Sequence, residues 1–288
     1  TVTVKDGGYQ GLQVKKGVLT FSYTDGNLSI PYLEADAAGG HVLGQGSYVK
    51  ESGAFSLQVE ADSIDLSQLP LSTPVSGILS GFCVADGNYL DGVLSLHRSS
   101  GNGDVTGFAY DGMSAGSFSG FGSYTDGNWS VTGYGRSLSY DGVSLDNGAF
   151  SLEKHGESIS IPYASGLVGD GAFFVKGVYN PQSMDLAVTA SDVDLSLLSG
   201  ITGEDMAGTA SFSGHVTGTL DNPEGEGTLR ARNGHIRNAG FDTIDGRLGC
   251  HDGKLDISGL RWVGTSGTHT VQGTIGIAAP HDMNLSVK

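Results

Sequence analysis

A serine between glycines, Gly112-Met113-Ser114-Ala115-Gly116, has the spacing of a catalytic nucleophile. Such a serine needs a sharp turn between a buried strand and a helix. Here Asp111-Gly112 reads as a turn, and Ser117-Phe118-Ser119-Gly120 has no helical character. A motif stands or falls by its context, so this one is read as chance in a Gly/Ser-rich chain. Five of the eight histidines come late: His215, His235, His251, His269 and His281. Cys250 and His251 are adjacent, so in a strand they face opposite ways. No His-x-His or Cys-x-x-Cys spacing supports a zinc site. Gly169-Asp170-Gly171 and Gly101-Asn102-Gly103-Asp104 suggest calcium-binding turns. The tandem nonapeptides of a calcium-binding β-roll are absent, and Asx-Gly is ordinary turn chemistry. The expectation is a chain that is not an enzyme, with no catalytic residue, no cofactor and no metal. Cys83 and Cys250 could form one bridge or stay two thiols, and spacing does not choose between them.

The elements that would position any site are strands. Gly is 48 of 288 residues and charged residues are 16%. Gly, Ser, Thr and Asp replace the residues that helices favour, and no window has capped helical periodicity. Asp-Gly pairs occur at Asp6, Asp25, Asp86, Asp91, Asp111, Asp126, Asp141 and Asp252. Each is read as a hairpin turn, because both central residues of a type I′ turn need positive φ. Asn233-Gly234 is read as another turn. The pairs at Asp111, Asp126 and Asp141 recur every 15 residues, leaving about a dozen residues per strand, or roughly 40 Å. Between turns the residues alternate apolar and polar, the period of a sheet with one dry face. Pro31 and Pro162 each follow an apolar pair, where proline marks an edge, a bulge or a strand end.

The formal net charge is −16. That excludes the nucleic-acid binders, which neutralise phosphates with Lys and Arg, and disfavours docking on an anionic bilayer. The acids are read as keeping a sheet-rich surface soluble. Trp129, Trp262 and the scattered tyrosines could form a sugar platform, but cross-strand pairing explains them better.

Two halves echo each other. Gly11 to Phe21 resembles Gly142 to Leu152, and Ser29-Ile30-Pro31-Tyr32 returns 131 residues later as Ser160-Ile161-Pro162-Tyr163. Asp65-Leu66-Ser67 returns as Asp194-Leu195-Ser196. The expected units are residues 1–139 and 140–288, with a partial third copy from about residue 240. Both ends read as cuts within a longer protein. There is no signal peptide and no apolar run of transmembrane length.

The apolar phase of the strands is the feature with functional content. Its candidates are Leu28, Ile30, Phe55, Leu57, Val59, Phe150, Leu152, Ile159, Ile161, Met184, Leu186, Val188 and Leu229. Two sheets could close on this face as a dry core, or one sheet could fold lengthwise and leave an apolar channel. Alternation serves both.

Ser191 to Phe241 carries a resemblance. Asp194-Leu195-Ser196, Gly208, Gly214, Gly218-Thr219-Leu220, Asn222-Pro223, Gly227-Thr228-Leu229, Asn233-Gly234 and Gly240-Phe241 are similar to the repeats of the AsmA-like superfamily, most closely the TamB family. The resemblance implies an all-β fold, an elongated, curved antiparallel sheet of repeated units closing into a taco-like β-groove. It implies a periplasmic bridge, anchored in the inner membrane by a segment outside this chain. The groove would carry phospholipid, held by its acyl chains, between inner and outer membrane. The alternative within the family is assembly of outer-membrane proteins with a barrel partner of the TamA/BamA type. The rival of another class is a secreted or surface β-rich adhesin.

Overall fold

In a computed structural model, residues 1–9, 11–140, 143–197, 205–219, 222–265, 267–276 and 282–288 are described. Nearly all of them are in strands, and the fold is all-β and antiparallel. The chain divides into two compact units. The first is Thr1–Ser144 with Glu153–Gly156, and the second is Leu145–Leu152 with Glu157–Lys288.

In the first unit the strands are β1 (Val2–Tyr9), β2 (Leu12–Thr24), β3 (Asn27–Ala37), β4 (Gly40–Val49), β5 (Ala54–Asp65), β6 (Ser76–Leu90), β7 (Val93–Tyr110), β8 (Met113–Thr125) and β9 (Asn128–Tyr140). Each pairs antiparallel with the next along the chain. A short 3-10 turn, Leu66–Gln68, follows β5. After β10 (Val143–His155), the second unit runs through β11 (Ser158–Val168), β12 (Gly171–Asn180), β13 (Ser183–Asp194), β14 (Met206–Gly218), β15 (Pro223–Ile236), β16 (Ala239–His251), β17 (Lys254–Gly264), β18 (Gly267–Gly276) and β19 (Met283–Val287). From β11 on, each again pairs with the next.

Turn chemistry explains this order. Asp25, Asp91, Asp111, Asp126 and Asp252 sit at φ between 43° and 50°, and the glycine after each is also at positive φ. That is the geometry in which two residues join antiparallel strands. Two Asp-Gly pairs depart from the expectation: Asp6-Gly7 lies inside β1 and Asp86-Gly87 inside β6, where the register shifts. Asn233-Gly234 is likewise inside β15, with Asn233 at φ 51°. A left-handed residue within a strand is the mark of a bulge, which keeps the strand paired and turns its side chains. Asp141-Gly142 lies outside the described residues. Both prolines fall where register shifts, between Ile30 and Leu33 and between Ile161 and Ala164.

The repeated Asp-Leu-Ser phrase has one geometry. Asp65 Oδ1 accepts from the Ser67 backbone N–H at 3.0 Å, and Asp194 Oδ1 accepts from that of Ser196 at 2.8 Å. Asp65 is held below the usual carboxylate range, first by the Ser67 hydroxyl and then by Gln68 and the Ser67 amide. In the second unit the phrase also seats Leu195 among Ala231, Phe241, Ile244 and Leu260, the buried apolar cluster of β15–β17.

Candidate functional site

In a strand, residues two apart share a face, and direct cross-strand partners share it too. Register therefore places each candidate. In the first unit Leu28 is opposite Tyr48, which is opposite Phe55. Ile30, Gly46 and Leu57 form the next row, and Leu33, Gly44 and Val59 the one after. Leu28, Ile30, Phe55, Leu57 and Val59 thus lie on one face of β3–β5. The rows continue onto β6–β8 mainly through small residues: Val59 leads to Cys83, then Gly101, then Gly122. There the face is largely bare backbone, which a search for aliphatic residues overlooks.

In the second unit Ile159 is opposite Tyr179, which is opposite Met184. Ile161, Gly177, Leu186 and Val216 make the next row, followed by Val175, Val188 and Gly214. Ala190, Phe212 and Leu229 complete the set on the same face. Phe150 and Leu152 are alternate residues of β10 and share one side of it. Met184 is buried, while Leu186 and Val188 are half-buried. Leu229 packs on the cluster of Ala231, Phe241, Ile244 and Leu260, together with Leu248, Ile257 and Trp262. The apolar face of β15–β17 is therefore self-packed, and that of β11–β14 is the more open part.

No large side chain is fully buried among the described residues, and the buried apolar set is short. On the apolar face Leu57 is 38% exposed, and Leu28, Ile30, Leu186 and Val188 are only half-buried. A face sealed under a second sheet would bury side chains of this size on its midline.

Among the described residues, two sizeable recesses have their polar side chains on the other face. One of about 750 Å³ crosses β3–β8 in the first unit. Its walls are Ser47, Ser56, Gln45, Gln58, Asp86 and Arg98, which alternate with the apolar rows. The Ser47 and Ser56 hydroxyls are 3.1 Å apart, Gln45 donates to Gln58 at 3.0 Å, and Arg98 Nε is 3.2 Å from Asp86. The other, about 640 Å³, crosses β13–β16 in the second unit and is walled by Ser, Thr and Arg. Of the expected strip, Ile30 and Leu57 border the first recess and Leu229 the second. The other strip residues border neither, and by register the strip's side chains alternate with the polar ones.

The residues that could do chemistry stay apart. Ser114 is inside β8, opposite Ala109 and Ser139, with strand rather than helix after it. His215 contacts Asp185 at 2.6 Å, His251 contacts Asp256 at 2.6 Å, His97 contacts Asp126 at 3.2 Å, and His41 contacts Asp36 at 2.8 Å. The His215 and His97 pairs join residues 30 and 29 apart in sequence, which spacing alone does not show, whereas His41–Asp36 and His251–Asp256 each close across one hairpin. His281 lies outside the described residues. Among the described residues no three His, Cys, Asp or Glu side chains come together as a metal site, and no helix is long and apolar enough to cross a membrane. Cys83 and Cys250 are both free thiols. Cys250 Sγ donates to the Pro223 carbonyl at 3.0 Å, and burial pushes its pKa up, with Asp256 and Glu224 adding to the shift.

Comparison with family models, with characterised proteins and with solved structures found no match to this chain.

Proposed function

We propose that the chain is part of a periplasmic bridge-like protein, not an enzyme, whose apolar sheet face holds phospholipid acyl chains on their way between inner and outer membrane. One observation carries the reading. Across β3–β5 and β11–β14 the apolar residues align in register on one face, and that face keeps large side chains partly exposed. An acyl chain needs only such a strip, since each buried CH₂ contributes about 0.8 kcal/mol. It needs no convergent polar pocket. The resemblance of Ser191–Phe241 to TamB-family repeats supports the same reading, with assembly work beside an outer-membrane barrel partner as the family's other role.

The test is Leu186→Asp or Ile161→Arg, each first shown to fold by circular dichroism. Lipid extraction and mass spectrometry of the purified chain should find phospholipid on the native protein and little on the variants. A charge set against hydrocarbon without a partner is costly. Folded variants carrying as much phospholipid as the native chain would reduce the strip to a packing surface.

A further inference from the structure

Seven arginines occur in the chain, against 31 acids, yet four of them lie on adjacent strands β15–β17: Arg230, Arg232, Arg247 and Arg261. Arg230 and Arg232 are alternate residues of β15 and share a face. Arg247 is opposite Thr228 on that same face, and Asp245 is opposite both Arg230 and Arg261. Arg230, Arg232 and Arg247 wall the recess of about 640 Å³. Five hydroxyl residues, Thr189, Ser191, Ser211, Ser213 and Thr228, line it too, with Asp245 and the apolar Ala190, Phe212, Leu229 and Gly246 completing the wall.

Within the recess three arginines meet one carboxylate. Arg230 Nε contacts Asp245 at 2.6 Å. Among the described residues Arg232 and Arg247 form no ion pair. Asp194, in line with Thr209 and Arg232, already accepts from the Ser196 amide. The local balance is thus positive on a chain whose net charge is −16. Guanidinium groups with free forks match phosphate oxygens bidentately, and hydroxyls supply further donors. Arginines scattered for solubility would not gather at a concavity on an acidic protein.

We propose that this recess binds a phosphate group, carried either by a soluble anion or by a lipid headgroup. By register the arginine and hydroxyl side chains alternate with Leu229 and the rest of the apolar strip, and the proposal does not rest on the lipid-groove reading.

The test uses the whole 288-residue chain. Its binding to inorganic pyrophosphate is measured by calorimetry, and its binding to phosphatidylcholine vesicles with and without phosphatidate by flotation. The double variant Arg232→Gln/Arg247→Gln leaves the Arg230–Asp245 pair in place, and Arg98→Gln in the first unit is the control. Losing two charge-assisted contacts should weaken binding about tenfold or more, with Arg98→Gln unchanged. Pyrophosphate binding that the double variant loses assigns a soluble phosphate. Binding confined to phosphatidate vesicles, and lost in the same variant, assigns a headgroup. No binding to either probe, or equal binding by the double variant, overturns the proposal.

Discussion

Phe241 and Trp262 meet edge to face, their ring centroids 5.5 Å apart and their planes at 77°. The indole Nε1 also donates to the Gly240 carbonyl at 3.2 Å. Phe241 is 4% exposed and joins Leu195, Ala231, Ile244 and Leu260. The contact closes the apolar face of β15–β17 with the chain's own side chains. Phe241→Ala should therefore cost about 3–5 kcal/mol, as removal of a buried aromatic does. Urea unfolding checks it, and a loss under about 1 kcal/mol would mean the cluster is not a core.

Gly177 lies between Ile161 and Leu186 in the open part of the apolar face. Its φ is 146°, and a Cβ there would strike the Asp185 carbonyl oxygen. Gly177→Ala should lower stability by more than about 1 kcal/mol. Gly122→Ala should cost less, because its Cβ would make an ordinary contact with the Ser130 carbonyl at 3.5 Å. Equal costs would show that close approach at Gly177 is not what selects glycine.

The His41 pKa is raised, first by its hydrogen bond to Asp36 and further by the charges of Asp36, Glu34 and Asp62, against some desolvation. A raised folded-state pKa means the stabilisation is fully present below the unfolded value of about 6.5 and is lost as pH rises through the folded value. An NMR titration of His41 should have its midpoint above about 6.5, and Asp36→Asn should lower it. The stability difference between native protein and variant should shrink as pH rises across that window. A midpoint that Asp36→Asn leaves unmoved would contradict this assignment.

The thiols should differ. Cys83 is exposed, whereas Cys250 is partly buried, bonded to the Pro223 carbonyl and raised in pKa. Alkylation follows the thiolate and its access. Peptide mapping after brief iodoacetamide treatment should find Cys83 modified first. Cys250 reacting as fast would place it at the surface.

Much of the fold was legible because alternation and hairpin glycine are local signals. Met184, Leu186 and Val188 betray their shared face by period alone, and Asp111-Gly112 and Asp126-Gly127 form turns. The bulges were not legible. Asn233-Gly234 has the composition of a turn, and only pairing with β14 and β16 keeps it inside β15. The arginine recess was hidden for a similar reason. Arg230 and Asp245 are 15 residues apart, and only the β15–β16 register brings them opposite each other. The role of Leu195 in the second unit's core was likewise invisible, since nothing in the phrase around it shows that it meets Ala231, Phe241, Ile244 and Leu260.

Lipid acyl chains should meet one face of the strands and not the other. Leu186 and Ala187 are neighbours on β13, with Leu186 on the apolar side and Ala187 on the reverse. The direct measurement replaces each in turn with a photo-crosslinking amino acid, in the protein produced in a double-membraned bacterium, and analyses adducts by mass spectrometry. Phospholipid adducts through the acyl chains are expected at position 186 and essentially none at 187. Adducts at both positions alike, or at neither, would contradict that expectation.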